Sequence, residues 1–339
     1  MRTVFLDLGP LAHLGGQGSL SGASMSDYEA LTSPAGKGIV VEGGVITSIE
    51  DSNELHEHFG GPEQSNEDTT IVSVGGNAVV PGLVDGHNHL IWSGDRSNEL
   101  SMKLQGMSYQ DIAASGGGIQ HTVRSTAQSS KEDLLKLGYQ RMRAALSNGT
   151  THLEAKSGYG LTTESELQLL DVAHELKGIA HLPTMELTWL GAHDTPPGKD
   201  RSQYVEEILS DQLPQILNQG YAQAADVFCE PGWFTVEESE EILMASKKGG
   251  LRQRIHIDEF SDGGGGDLAA ELGVVTADHA HYTPAGSRQR MEEAGVNTGF
   301  LPGTPYTMGE AWPSFNEAVE QNYRWSIATD FNPNCNILS

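Results

Sequence analysis

Residues 81–96 read PGLVDGHNHLIWSGDR. An apolar run (Ala78, Val79, Val80, Leu83, Val84) leads into His87 and His89, with one residue between the two histidines. If that run is a strand, side chains two apart share a face. Both imidazoles then project together from the end of a buried strand, which is half of a metal site. An isolated His-x-His is equally two polar residues where a strand meets a loop. The rest of the chain decides between these readings.

From Ala78 onward the sequence repeats strand, loop and helix. Eight apolar strand candidates occur, at 78–87, 150–156, 180–190, 225–230, 252–258, 274–279, 296–301 and 323–329. Between them lie helical patterns at 131–146, 163–178, 204–217, 236–249 and 266–273, with apolar residues three and four apart. Strands alternating with helices predict βαβ units and a parallel sheet. Eight of them predict an α/β fold of the closed TIM-type (β/α)8 class, for which about 250 residues are usual. A doubly wound open sheet is the rival, but no glycine-rich phosphate loop opens the first βα unit. Residues 1–77 read differently. TVFLDLG, GIVVEGGVITSIED and TIVSVGGNAVV are β-branched runs broken by Gly, Asp or Asn. They predict a small β-sandwich-like domain without helices, with loops at 15–26 and 60–69. The expected domains are therefore 1–77 and a barrel over 78–339.

In such a barrel, functional residues sit at the C-terminal ends of the strands. His87 and His89 end the first strand, His256 the fifth, His279 the sixth and Asp330 the eighth. A lone histidine at a strand end is an ordinary structural residue. Metal-competent residues at four strand ends of one barrel predict a site.

Composition narrows the partners. The 46 acidic residues against 20 basic ones give a formal net charge of -26. Such a surface repels nucleic acid and anionic membranes, and halophiles use charge of this kind to stay soluble. We therefore expect a protein suited to a salty cytoplasm, unfolding in dilute buffer and recovering in molar salt. Two cysteines, Cys229 and Cys335, suggest neither a disulfide framework nor a zinc ribbon. No apolar stretch of about 18 residues occurs, so no membrane-spanning helix is predicted. The N-terminus makes a poor signal peptide, and a cytoplasmic location is expected.

The stretches PGLVDGHNHL, SGDRSNEL, YQDIAASGGGI, EAKSGYGL, TWLGAH, DVFCE, HIDEF, ADH and ATDFNP resemble the amidohydrolase superfamily and, within it, the imidazolonepropionase family. The resemblance covers nearly the whole chain. SGGGI, KSGYG and LGAH are particular to that family rather than to the superfamily. It implies one metal ion, zinc or iron (Zn2+ or Fe3+), bound by His87, His89, His256 and Asp330. It implies that Glu259 activates water or contacts substrate, and that His279 lies beside the metal without being a ligand. Glu259, His279 and Asp330 are thus the implied catalytic residues. Arg96, Tyr109, Tyr159, His193 and Asn332 match positions that hold a small anionic substrate, 4-imidazolone-5-propanoate. A homodimer is also implied.

Plainer readings stand beside these. Arg96 pairs with Asp95 or Glu99 on the surface, Tyr159 is a turn residue between two glycines, and residues 263–266 form a flexible loop. Some superfamily members carboxylate a strand-end lysine to bridge two metals. Lys156, in its KSGYG context, is expected instead to be structural or to support the site. Other cyclic-amide hydrolases, deaminases and an inactive fragment remain alternatives. The chain stops nine residues after Asp330, where the family continues with a last barrel helix and further strands. A C-terminally shortened form is therefore expected. Asn334 and Cys335 follow Asn332-Pro333 where the family usually carries Gly.

Overall fold

The computed structural model describes residues 1–14 and 20–334. The described chain divides into two compact units, Met1–Gly82 and Leu83–Ser339; the sequence reading had put the division at 77/78. Cys335 lies outside the described residues.

The first unit contains β1 (Arg2–Leu6), β2 (Leu11–Ala12), β3 (Thr32–Ser33), β4 (Lys37–Glu42), β5 (Val45–Asp51) and β6 (Thr69–Ser73). Four of these form one sheet in the order β5-β4-β1-β6, and β2 pairs with β3. Period-two alternation sends Val4, Leu6, Val40 and Ile71 to one face, against Leu55. Phe5, Ile39 and Val41 turn to the other, with Leu8, Leu11 and Val79. Leu55 belongs to a helix, Ser52–Phe59, that the sequence reading did not anticipate. Its signals were local ones. The Asp51 carboxylate caps it by accepting the Asn53 N–H at 2.9 Å, and Gly60 ends it.

The second unit carries β7 (Leu83–Asp85), β8 (Thr150–Lys156), β9 (Thr184–Ala192), β10 (Ala224–Cys229), β11 (Arg252–Ile257), β12 (Thr276–His279), β13 (Asn297–Phe300) and β14 (Trp325–Ile327). All neighbours run parallel, in sequence order from β7 to β14. The ring closes beyond the ends of β7 and β14, where Asn88 bridges Phe331. There the His89 N–H donates to Phe331 O (2.9 Å) and the Asp330 N–H to His87 O (3.0 Å). The Thr329 N–H and hydroxyl donate to the Asp85 carboxylate at 2.9 and 2.7 Å. A (β/α)8 barrel is therefore the fold, and the open-sheet alternative falls.

Three differences from the sequence reading have physical causes. The first strand is only Leu83–Asp85 rather than 78–87, because Pro81 cannot donate to a ladder and Gly82 and Gly86 flank it. The expected helix over 204–217 is broken into Arg201–Glu207, a π turn at Ile208–Gln212 and Leu213–Gln219. Pro214 lacks the N–H that a regular turn needs. Helices Asn98–Leu104, Tyr109–Ala114, Gly118–Ala127 and Ala285–Glu293 had no predicted counterpart. In the last, Met291 is the one large apolar residue, so no periodic stripe betrays it.

Candidate active site

The strands end where the charged residues begin. Asp258, His279 and Asp330 all have left-handed backbone (φ 49°, 65° and 49°). That conformation is uncommon outside glycine, though Asp and His adopt it more readily than most residues, and it concentrates at functional sites. It breaks each strand at the rim.

Four histidines and an aspartate converge there. The His87 Nδ1 lies 2.7 Å from Asp278 Oδ2, and the His256 Nδ1 3.0 Å from Asp226 Oδ1. Each carboxylate fixes the proton on Nδ1, so each Nε2 presents a lone pair inward. Neither Nε2 has a hydrogen-bond partner, although both are buried. The Asp330 Oδ1 stands 3.6 Å from His87 Nε2 and 3.5 Å from His89 Nε2, while Oδ2 accepts the Thr304 hydroxyl at 2.6 Å. Among the described residues, ligand atoms of His87, His89 and Asp330 lie within 4.8 Å of one another, as do those of His87, His256 and His279. An orphaned buried nitrogen is expensive. The one on His87 faces the Asp330 carboxylate and the one on His256 lies in the triad with His87 and His279, and together they fit a cation bound at this point. The four expected ligands are divided between these two groups, which share His87. His279, expected beside the ion, comes as close to His87 and His256 as a ligand would.

Burial, reinforced by neighbouring positive charge, pushes the His87, His89 and His279 imidazoles well below their ordinary value and His193 down to about 3. Neutral imidazoles are what a metal needs. The unfolded chain takes up these protons near 6.5, the folded one only at lower pH. The contribution to stability is therefore complete above 6.5 and is lost as pH falls toward 3. For His193 the slope is about 1.4 kcal/mol per pH unit. The raised carboxyls of Glu230 and Asp330 act the other way, taking up protons in the folded chain first, so the histidine contribution is read by difference. His193→Gln in the metal-free protein is expected to flatten the pH dependence of thermal stability between neutral pH and about pH 5 relative to wild type; calorimetry of the two checks this, and identical slopes contradict it.

Glu259 sits at the mouth, its Oε2 3.5 Å from His279 Nε2. Burial, then the charges of Asp330 and Glu230, raise its carboxyl well above the usual range. Burial raises Asp330 to about 6. A small pocket opens beside these groups and is lined by Arg96, Tyr109, Tyr159, His193 and Asn332 together with His89, His256, His279 and Asp330. Every expected substrate residue thus reaches one cavity.

Three plain readings are revised. Arg96 does pair with Glu99, through two hydrogen bonds of 2.8 Å, but the pair is 2% exposed rather than on the surface. Tyr159 is buried, its ring 5.7 Å from His89 and 5.2 Å from His193. The turn that carries it is wrapped round Glu166, which accepts the N–H groups of Gly158, Gly160 and Leu161 at 2.7–3.0 Å. Residues 263–266 are likewise packed, not loose. Asp258 accepts the Gly263 and Gly265 N–H groups, and a Cβ on Gly266 would stand 2.6 Å from Thr283 Cγ2.

The reading missed the supporting acids. Asp226 and Asp278 orient the ligands. Glu230, raised to about 7 by burial, pins Glu259 by accepting the N–H groups of Glu259, Phe260 and Ser261 at 2.8–3.2 Å. A charged residue inside an apolar strand (AADVFCE, VTADH) was the available signal.

A (β/α)8 barrel with a His/Asp cluster at its C-terminal rim defines a hydrolase of the amidohydrolase type. The comparisons agree. An imidazolonepropionase of Haloarcula marismortui is 37% identical over 297 residues, covering 88% of this chain and 70% of its own. One from Bacillus velezensis is 38% identical over 334 residues, covering 98% and 76%. An adenosine deaminase from Xanthomonas campestris, solved with bound zinc, superposes with a TM-score of 0.58 at 14% identity, over 98% of this chain and 70% of that one. No family model matches. The chain belongs to the imidazolonepropionase family, hydrolases of histidine degradation that act on carbon–nitrogen bonds. Among the described residues no helix is long and apolar enough to cross a membrane.

Proposed function

We propose that this protein hydrolyses the cyclic amide of 4-imidazolone-5-propanoate to N-formimidoyl-L-glutamate, with one Zn2+ or Fe3+ held by His87, His89, His256 and Asp330. The observation that carries the reading is the pair of orphaned Nε2 atoms on His87 and His256, the first of them facing Asp330, beside a cavity that also holds Arg96. When bound, such an ion supplies Lewis-acid polarisation of a carbonyl and acidifies water.

The chain's own residues do the rest. Glu259 takes the proton of the attacking water as its oxygen bonds to the ring carbonyl carbon. A raised carboxyl is a stronger base near neutral pH than an ordinary one. His279, kept neutral by burial, hydrogen-bonds the developing oxyanion. The bond from the carbonyl carbon to ring nitrogen then breaks. The proton held on Glu259 reaches that nitrogen through His279, 3.5 Å away, or through Asp330. The carbonyl carbon leaves as a new carboxylate and the nitrogen as the formimidoyl group. Arg96 takes the propanoate carboxylate on the Nη1 side of its guanidinium, the Nε–Nη2 edge being held by Glu99. Its guanidinium stays charged: burial works against it, but Tyr109 and Glu99 more than compensate. In a protein of net charge -26, a buried cation in the pocket also draws in an anionic substrate.

The test is loss of the imidazolone ultraviolet absorbance on adding the purified, metal-loaded chain, with N-formimidoyl-L-glutamate identified by mass spectrometry. Aromatic bases such as guanine and cytosine serve as comparison substrates. Turnover of the imidazolone alone is expected. Deamination of a base, or no turnover from a folded and metal-loaded chain, overturns the reading.

A further inference from the structure

Beneath the ligand cluster lies a row of buried charges that the proposed chemistry does not use. Lys156 is fully buried, and its ammonium donates to Asp226 Oδ2 at 2.6 Å and to Glu154 Oε1 at 2.9 Å. The other oxygen of Asp226 holds His256 Nδ1 at 3.0 Å. The other oxygen of Glu154 accepts the N–H of Asn88 at 3.2 Å, and the Lys156 N–H donates to Asn88 O at 2.9 Å. Asn88 is the residue between His87 and His89. A continuous chain, Asn88–Glu154–Lys156–Asp226–His256, therefore joins the turn carrying two ligand candidates to the strand carrying a third. Arg254 braces the same turn, donating to Gly86 O at 2.7 Å.

We infer that Lys156 and Glu154 are positioning residues, which set the separation between the His87/His89 pair and His256 and so tune the metal site. The inference rests on the metal reading above but not on any substrate. A buried ion pair is a poor source of net stability, because desolvation offsets most of its attraction. Its use here is geometric. Each carboxylate has one oxygen on Lys156 and one on a ligand-bearing segment, so neither can rotate without abandoning a buried partner. The same arrangement commits the lysine. An ammonium shared between two carboxylates has no lone pair to offer carbon dioxide. Lys156 is thus unavailable as a carboxylated bridge between two ions.

The experiment uses Lys156→Gln and Glu154→Gln in the whole chain, loaded with Co2+ and Zn2+. Folding is checked by circular dichroism on the metal-free proteins. Removing a partner that orients metal ligands weakens metal affinity about 10–100-fold. We expect that loss, with a shifted visible Co2+ spectrum, in variants that keep the wild-type far-ultraviolet signature. A folded variant with wild-type affinity and spectrum overturns the inference. Should both variants unfold, the buried lysine ammonium of the wild-type protein decides. Its nitrogen-15 resonance moves on Zn2+ titration if Lys156 is coupled to His256 through Asp226, and an unmoved resonance overturns the coupling. Because these readouts need no substrate, a wrong substrate leaves them intact, whereas a wrong metal reading shows as no binding by the wild type.

Discussion

His256→Ala is expected to lose turnover by about 10³–10⁴-fold, the equivalent of the several kcal/mol that a polarising ion contributes to a transition state. His256 offers an Nε2 that nothing else in the described structure satisfies. It is also the ligand candidate on β11, set apart in sequence from the pair after β7. The change removes one donor and leaves Asp226 held by Lys156 alone. Metal content is expected to fall together with kcat/KM, and a chelator applied to the wild type is expected to reproduce the loss reversibly. Metal analysis beside steady-state kinetics checks this. Full activity in a metal-depleted His256→Ala protein would end the metal reading.

Glu259→Gln is expected to act differently. The amide keeps the shape of the side chain, and the backbone at 259–261 stays pinned by Glu230. Metal content and KM should therefore stay within a few-fold of wild type. Loss of a general base costs about 10²–10⁴ in rate, so kcat falls by that factor. The acid limb of the rate profile should vanish with it, because that limb reports the carboxyl that must be ionised to accept a proton. Folded Glu259 has its carboxyl raised by burial, so activity in the wild type is lost as pH falls through that raised value and is complete above it. An unchanged acid limb in Glu259→Gln assigns the base to another group.

The eightfold strand pattern was legible because parallel barrel strands are buried on both sides and read as apolar runs. The ligand candidates were legible because the same fold places function at strand ends, and His87, His89, His256, His279 and Asp330 all stand there. The orienting acids were not. Asp278 meets His87 across 191 residues of sequence, and nothing local to VTADH announces the partner. Lys156 was read as structural or supporting the site, but its partners Glu154 and Asp226 were not foreseen, and all three lie buried in the barrel. Short helices such as Ala285–Glu293 stayed hidden because packing, not periodicity, holds them. Capping residues such as Asp51 were visible but carried too little weight against a β-rich neighbourhood.

The closure between β7 and β14 has a consequence for how the protein is made. Asp85 and Thr329, which join the ring, lie 244 residues apart, and the same junction brings His87 and His89 against Asp330. At a ribosome adding 5–20 residues per second, about 10–50 seconds separate the synthesis of the two sides. During that interval the two histidines have no carboxylate from the last strand to share an ion with. On the metal reading proposed above, capture of a cation by the group that contains Asp330 waits for the final strand to dock, so an ion there would seal a finished ring rather than nucleate an unfinished one.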